Sequence, residues 1–252
     1  MFNKFLTIFF SVILFFATIS KAQDSIKINR NNNNSIKAKL FILPGSLILY
    51  GALTLNSKGL QNLNHDIQNK VTPNDLSRKC HIDNYLQFAP GLITLGLNAS
   101  GVKGAHNFKD AAIIYAMSNV ILTAIVMPTK HFTSVMRPDS SAASSFPSGH
   151  TSEAFASAEF MRMEYKNVSP WYGIAGYAMA GLTGYLRMYN NKHWFNDVIA
   201  GAGVGIASTK IAYWIYSKVE PKLSGKRDKN RSTFMMPSYQ NKQLKFNLVK
   251  NF

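Results

Sequence analysis

The sequence predicts an all-α protein that is embedded in a membrane. Small residues recur at every fourth position in the second half of the chain, as at Gly201 and Gly205, and this spacing lets helix backbones pack closely in lipid. No stretch alternates like a β-strand until Leu244, Phe246 and Leu248. Six apolar segments alternate with polar stretches, at about residues 38–55, 85–101, 110–128, 151–163, 171–188 and 197–216.

The third and the last of these segments are the best candidates for membrane spans. Each approaches the ~20 residues that are needed to cross the hydrocarbon core of a bilayer. The second segment is interrupted by Pro90, and the fourth contains the charged residues Glu153, Glu159 and Arg162. These two are therefore weaker candidates.

An amphipathic stretch lies between the first two apolar segments. Leu60, Leu63, Ile67 and Val71 fall on one face of a helix there. Such a helix either rests on the membrane surface or caps the bundle, and the sequence favours neither.

The N-terminus predicts a secretory signal peptide over residues 1–22. A positively charged start precedes an apolar run over residues 5–19, and small residues follow it. Cleavage before Gln23 is the favoured interpretation; the alternative is an uncleaved anchor helix, although its apolar core is short for a span. A polar linker follows at residues 23–36.

The charge balance indicates an anionic partner. The formal net charge is +16, from 28 Lys and Arg against 12 Asp and Glu. Acidic lipid headgroups, a phosphorylated substrate or nucleic acid would fit. Nucleic acid is disfavoured, because no recognition helix gathers the charge and no zinc-finger or RNA-binding motif is present. Cys80 is the only cysteine, which excludes an intramolecular disulfide and a cysteine-rich metal site. No obligate protein partner is predicted.

Two short stretches provide cations and a helix start. Lys130 and Arg137 flank a connection that follows an apolar helix, where cations commonly mark the membrane edge. Ser148 and Gly149 precede an alanine-rich helical stretch. Free backbone amides at such a helix start attract anions, although Ser148 alone is better explained as a helix cap. His150 would lie in the first turn, close to any bound anion.

A third stretch contains Arg187, His193 and Asp197. On a helix, residues four apart share a face, so Asp197 can accept a proton from one ring nitrogen of His193 and leave the other nitrogen basic. A purely structural pair at a helix start is the alternative. Metal binding is disfavoured, since the nearby cations already make the site positive. Arginine forks suit tetrahedral oxyanions, so the combined set describes a phosphate pocket.

Together the three stretches resemble the type 2 phosphatidic acid phosphatase and vanadium haloperoxidase superfamily. Its pattern is K-x6-R-P, then P-S-G-H, then S-R-x5-H-x3-D. This chain departs from it at Leu186, where the family usually has serine, so the resemblance does not imply the secondary phosphate contact of that serine. The resemblance covers about residues 37–216. The matching residues are Lys130, Arg137 and Pro138; Pro147, Ser148, Gly149 and His150; and Arg187, His193 and Asp197.

The resemblance implies a six-helix bundle with no metal or other cofactor. It implies that His193 attacks phosphorus, that Asp197 orients His193, and that His150 protonates the leaving oxygen and then activates water. The remaining family residues would bind phosphate: Lys130, Arg137, Arg187 and the amides of Ser148 and Gly149.

Within the superfamily the chain looks most similar to the lipid A phosphatases of Gram-negative bacteria, through the stretches Gly104–Phe108 and Leu186–Asn191. This similarity implies a membrane-associated enzyme that hydrolyses a lipid phosphate monoester, with lipid A, isoprenoid and glycerophospholipid phosphates all open. The alternatives are a soluble periplasmic acid phosphatase that acts on small phosphomonoesters, a vanadium haloperoxidase, and a lipid-binding protein without activity.

The expected location is a bacterial inner membrane, with the active site facing the periplasm. The basic tail, residues 217–252, fits a cytoplasmic C-terminus. A signal sequence places residue 23 outside, and three spans after it would put His150 in the cytoplasm. The number of spans therefore stays open.

Overall fold

The helical part of the chain is organised as a bundle. The computed structural model describes residues 38–73, 79–223, 233–240 and 243–250. After a short 3-10 helix at Ala38–Phe41, eight α-helices follow: α1 Ile42–Thr54, α2 Lys58–Val71, α3 Asp83–Leu86, α4 Ala89–Ala99, α5 Phe108–Thr133, α6 Gly149–Tyr165, α7 Pro170–Tyr189 and α8 Phe195–Leu223. The predicted signal peptide and linker lie outside the described residues.

Each of the six apolar segments forms a helix, but the described residues contain eight helices rather than six. The amphipathic stretch forms a separate helix, α2, and a single turn, α3, precedes α4. Pro90 does not interrupt the second segment. It lies in the first turn of α4, where a missing backbone N–H leaves no hydrogen bond unmade.

The helix α8 packs closely against its neighbours through glycine. A Cβ atom on Gly201 would lie 2.7 Å from the carbonyl oxygen of Ser148, at the start of α6. One on Gly203 would lie 2.6 Å from the carbonyl oxygen of Pro44, in α1. These backbones approach so closely that no larger side chain fits, which is what the small-residue pattern predicts.

Two helices are long and apolar enough to cross a membrane, within the residues that the structure describes. They are Phe108–Thr133 and Phe195–Glu220, the two segments that the sequence favours. Only 28% of the most apolar window of the first is buried, against 67% for the second. The pair Ala38–Thr54 and Lys58–Val71 counts as a third span only if its 98° bend is accepted within one span.

The helix α2 caps the bundle with a polar face. Asn64, Gln68 and Val71 are buried, whereas Leu63 is 43% exposed. The Asn64 side chain donates to the side chain of Asn196 at 2.8 Å, and Gln68 donates to the carbonyl oxygen of Met188 at 3.0 Å. The sequence left two placements of α2 open, on the membrane surface or as a cap on the bundle. These contacts place its amide side against the bundle, as a cap.

The two ends of the bundle are defined by contacts between helix termini. At one end, Lys210 donates to the carbonyl oxygen of Leu40, and Ala105 donates to that of Glu164. At the other end, α5 and α7 finish and α6 and α8 begin, beneath the α2 cap. We call this second end the motif end, because the three motif stretches fall on it.

The chain divides into two compact units, residues 1–213 and 214–252. In the second unit, β1 (Thr233–Gln240) pairs antiparallel with β2 (Gln243–Lys250), from Thr233 opposite Lys250 to Gln240 opposite Gln243. The alternation of Leu244, Phe246 and Leu248 lies within β2, as its period predicts. The described residues of the first unit form helices and loops without strands.

Candidate active site

The three motif stretches meet at the motif end. Lys130 lies in the last turn of α5, which ends where Ser134 adopts the left-handed conformation, and Arg187 lies in the last turn of α7. His193 lies in the connection between α7 and α8, just before α8 begins. The positive charge of Arg187 acts on both His193 and His150. The predicted site residues are thus neighbours in space.

His193 and Asp197 form a pair across the start of α8. His193 precedes the helix and Asp197 lies in its first turn, and Nδ1 of His193 is 3.5 Å from Oδ2 of Asp197. The same Oδ2 accepts hydrogen bonds from the Trp194 backbone N–H at 2.9 Å and from the Ser145 hydroxyl at 2.5 Å. The carboxylate is therefore fixed by two donors, and the Nε2 side of the His193 ring stays free of this pair.

Burial makes both site histidines weak bases. Burial lowers the pKa of His193 to about 4, although Asp197 opposes the shift. Burial and the nearby Arg187 lower the pKa of His150 to about 4. Both rings are therefore neutral at neutral pH in the free protein, which suits His193 as a nucleophile. An acid role for His150 requires a bound anion, whose negative charge raises the pKa.

Ser148 caps α6, and its own backbone amide is not free for the predicted role in phosphate binding. Its hydroxyl accepts from the Thr151 backbone N–H, and its own backbone N–H donates to the carbonyl oxygen of Asp197 at 3.0 Å. The amide of Ser148 is thus engaged within the protein. The amides of Gly149 and His150 lie in the first turn of α6, where helix geometry provides no acceptor, and the Lys130 side chain passes close to Gly149.

Both arginines present an unpaired nitrogen. Nε of Arg137 and Nε of Arg187 are buried, and neither has a hydrogen-bond partner among the residues that the structure describes. A buried donor without an acceptor is costly. Since Lys130 lies within electrostatic range of both arginines, the three cations define one strongly positive site.

Lys130 is held by main-chain oxygens of the loop before α6. Its ammonium group donates to the carbonyl oxygen of Ser144 at 2.5 Å and to that of Ser145 at 3.4 Å. The motif loops are also tied together by Lys192, which pairs with Asp139 at 2.5 Å. Burial would raise the pKa of Asp139, but hydrogen bonds from Lys192 and Ser141 outweigh it and hold the pKa at about 2.

Three residues of the site escaped the sequence analysis. Asp83 accepts a hydrogen bond from Arg187, Asn84 contacts His150, and Ser145 donates to Asp197. Asp83 and Asn84 precede the second apolar segment and belong to no motif. Ser145 lies three positions before Ser148, where only its buried position distinguishes it from neighbouring serines.

The other histidines are peripheral to the site. His131 is exposed and contacts the ring of Phe132, as expected for a residue without a motif role. His106 pairs with Glu164 at the opposite end of the bundle. His65 packs edge-on against Trp194 at 4.7 Å between ring centroids. A cavity of about 420 Å³ lies beside this pair, lined also by Asn56, Gln61, Asn64, Thr133 and Asn196.

Comparison with known proteins identifies a family model and a curated relative to which the chain is similar. The family model described as PAP2 superfamily matches residues 111–221. A curated relative, the lipid A 1-phosphatase of Porphyromonas gingivalis, is 40% identical over 135 residues. The match covers 53% of this chain but only 30% of that relative.

Two solved structures are similar. The first transmembrane PAP2 type phosphatidylglycerolphosphate phosphatase from Bacillus subtilis has a TM-score of 0.50 at 18% identity, covering 73% of this chain and 99% of that one. Aquifex aeolicus LpxE has a TM-score of 0.46 at 19% identity, covering 60% and 94%. At this identity the similarity concerns the fold, and the two helices of membrane-spanning length and composition are consistent with a membrane protein. Its three ordered motifs and the family model, which matches less than half of the chain, make it similar to the PAP2 superfamily.

Proposed function

We propose that this membrane protein hydrolyses a lipid phosphate monoester through a phosphohistidine intermediate. One observation carries the proposal: the Nε donors of Arg137 and Arg187 are buried and unpaired among the described residues, and both arginines act electrostatically on the cluster that contains Lys130, His150 and His193. Two guanidinium groups and a first-turn amide can hold the equatorial oxygens of a phosphoryl group in line with an attacking nitrogen.

In the first step, Nε2 of His193 attacks phosphorus and the bond from phosphorus to the ester oxygen breaks. The leaving oxygen takes a proton from His150, so an alcohol departs. Asp197 stabilises the positive charge that forms on the His193 ring, because its Oδ2 lies beside Nδ1.

In the second step, water attacks the phosphorus of phosphohistidine. His150, now neutral, takes a proton from that water, and the bond from phosphorus to nitrogen breaks. Inorganic phosphate leaves and His193 returns to its neutral form. Lys130, Arg137 and Arg187 counter the phosphoryl charge in both steps.

A lipid substrate fits the surroundings of the site. Ile82, Tyr85 and Phe88 are 54%, 79% and 42% exposed, and they flank Asn84, which contacts His150. Exposed apolar side chains beside an active site favour a substrate with an apolar tail over a small, soluble phosphomonoester. Among lipids, the relative that acts on lipid A makes the phosphate of a lipid A-like glycolipid the first candidate.

The proposed location is the inner membrane, with the motif end facing the periplasm. The basic tail favours a cytoplasmic C-terminus. Within the first unit, α8 runs from the motif end to the opposite end, where Lys210 contacts Leu40. A cytoplasmic position for the residues that follow α8 therefore agrees with a periplasmic motif end.

Phosphate release by the purified full chain in detergent tests the function. Lipid A, an isoprenyl phosphate, phosphatidic acid and glucose 6-phosphate are compared, with and without EDTA, and His193→Ala serves as the control. We expect EDTA-resistant activity on at least one lipid and none in the variant. Activity on glucose 6-phosphate alone would favour the soluble-substrate alternative, and an active His193→Ala protein would reject the mechanism.

A further inference from the structure

Two adjacent residues of α3 contact two different residues of the site. Asp83 is fully buried, and its Oδ2 accepts from Nη1 of Arg187 at 2.6 Å. Oδ1 of Asn84 lies 2.9 Å from Nε2 of His150. These contacts join residues 104 and 66 positions apart in the sequence, so a single turn of helix holds both a phosphate-binding cation and the proposed acid.

The turn itself is anchored to the site. The side chain of Asn190 accepts from the backbone N–H of Cys80 at 2.9 Å and donates to the carbonyl oxygen of Cys80 at 2.7 Å. Gln87 is buried, and its amide donates to the carbonyl oxygen of Asn84 at 2.8 Å. Asn190 therefore ties the start of the turn to the end of α7, and the Gln87 bond closes the turn on itself, so the side chains of Asp83 and Asn84 are held in place.

The Asn84 contact selects a proton arrangement in His150. An amide oxygen facing Nε2 accepts a hydrogen bond from the Nε2–H, which leaves Nδ1 as the nitrogen that gains and loses a proton. The contact survives protonation, since Nε2 carries a hydrogen in both the neutral and the charged ring. The Asp83 contact acts differently: it engages Nη1 of Arg187 and leaves Nε for the phosphate.

We propose that Asn84 and Asp83 are positioning residues that serve the two halves of the reaction separately. Asn84 orients His150 so that Nδ1 delivers the proton to the leaving oxygen, and Asp83 orients Arg187 towards the phosphoryl group. This inference rests on the proposed function. It deepens that function, because it assigns the leaving-group half of the reaction to one exposed amide.

Substitutions of Asn84 and Asp83 should therefore affect the reaction rate differently when the leaving group of the substrate is changed. An alkyl phosphate needs a proton on its leaving oxygen, whereas nitrophenolate leaves without one. In Asn84→Leu, which removes the acceptor at similar volume, phosphoenzyme formation from an alkyl phosphate should fall ~10- to 100-fold, part of the range for general acid catalysis. Formation from p-nitrophenyl phosphate should change by less than about 3-fold by the same argument. Asp83→Asn should instead lower the rate of phosphoenzyme formation by the same factor for both substrates, mainly by raising KM.

Rapid-quench measurement of phosphohistidine in the full chain in detergent separates these outcomes. Asn84→Asp retains an acceptor, so it should restore the ratio of the two rates. Its carboxylate also stabilises protonated His150, so the alkaline limb of kcat should move to higher pH. Asn62→Leu, on the exposed side of α2, is the control for a surface asparagine replaced by leucine.

Equal slowing of both substrates in Asn84→Leu, or no slowing, would overturn the inference. His193→Ala would still lack phosphoenzyme in that case, so the proposed function would stand. A wild-type chain that forms no phosphoenzyme from either substrate would reject the proposed function, and this inference with it.

Discussion

The Ser145 hydroxyl donates a hydrogen bond to the carboxylate of Asp197 at 2.5 Å, and the same oxygen of Ser145 lies 3.4 Å from Nδ1 of His193. All three side chains are buried. Asp197 therefore faces His193 in an orientation that a residue outside the histidine motif sets. Oδ1 of Asp197 has no partner among the described residues, so the fixed Oδ2 is the oxygen that faces the ring.

Ser145→Ala should lower kcat about 10-fold or more and leave KM nearly unchanged. A hydrogen bond to a charged group contributes about 1.5–3 kcal/mol, and each 1.36 kcal/mol in the barrier is tenfold in rate. The serine faces Asp197 rather than the phosphate, so substrate affinity should survive. Steady-state kinetics on a lipid phosphate provide the measurement.

Ser145→Thr retains the hydroxyl and should recover much of the rate. Ser100→Ala, in the loop after α4 at the opposite end, controls for the loss of a serine hydroxyl. A normal kcat in Ser145→Ala would mean that the Trp194 amide alone suffices to hold Asp197.

Arg137→Lys and Arg187→Lys should each lose most activity although the charge is kept. A lysine ammonium group cannot present the second donor of a guanidinium fork, and one lost transition-state donor costs about 100-fold or more. Vanadate inhibition should weaken in parallel, because five-coordinate vanadate bound to His193 resembles the phosphoryl transition state. Both quantities are read from initial rates.

Arg162→Lys is the matched control for these variants. Arg162 is also largely buried and binds Glu159 through two nitrogens at 2.8 Å, but it lies three turns along α6 from His150. We expect a lower melting temperature there with little change in kcat. Near-normal turnover in both Arg137→Lys and Arg187→Lys would make these arginines membrane-edge cations.

The stability of the protein should fall as the pH falls from about 7 to about 4. Burial lowers the pKa of His193 and of His150 to about 4 in the folded protein, whereas the unfolded value is about 6.5. Between these values the unfolded chain binds more protons, by up to two, so the free energy of unfolding decreases with decreasing pH and levels off below about 4. Melting temperatures in detergent from pH 4 to 8 measure this slope.

His193→Gln and His150→Gln should each remove one proton from that slope, whereas His131→Gln, on the surface, should not. Saturating phosphate should flatten the wild-type slope, because an anion in the site raises both pKa values towards their ordinary range. Equal slopes in all four proteins would contradict the placement of these histidines.

The motif residues could be predicted because their chemistry is local in sequence. His193 and Asp197 are four residues apart, and Ser148 caps the helix that follows it, so spacing alone brings these groups together. Asp83, Asn84 and Ser145 were missed because their partners are 48 to 104 positions away. Such contacts depend on the path of the chain through the bundle.

Two further details required the tertiary structure for the same reason. The Ser148 amide is engaged by the Asp197 carbonyl, and only the start of α8 packed against the start of α6 reveals this. The sequence did not decide where α2 lies, because an apolar stripe beside polar amide residues fits both a helix on the membrane surface and a cap on the bundle. Its hydrogen bonds with Asn196 and Met188 place its amide face inward.

Cys80 should be labelled from the periplasm. It is a free, half-buried thiol at the motif end, and its neighbourhood there is fixed by Asn190. If the motif end faces the periplasm, a membrane-impermeant maleimide should modify Cys80 in cells with a permeabilised outer membrane. Lys103→Cys in a Cys80→Ser background is the matched control, because Lys103 is exposed near the opposite end, where Ala105 binds Glu164. That position should react only after the inner membrane is opened.

The same labelling decides between two expectations that exclude each other. Residue 38 lies at the end of the bundle opposite to Cys80, since Lys210 donates a hydrogen bond to the carbonyl oxygen of Leu40 at that end. If the bundle crosses the membrane from end to end, a signal that delivers residue 23 outside leaves residue 38 outside as well, because the linker between them is too polar to cross. The motif end would then face the cytoplasm. Labelling of Cys80 from the periplasm therefore rejects translocation of residue 23, and labelling of Lys103→Cys instead rejects the periplasmic active site.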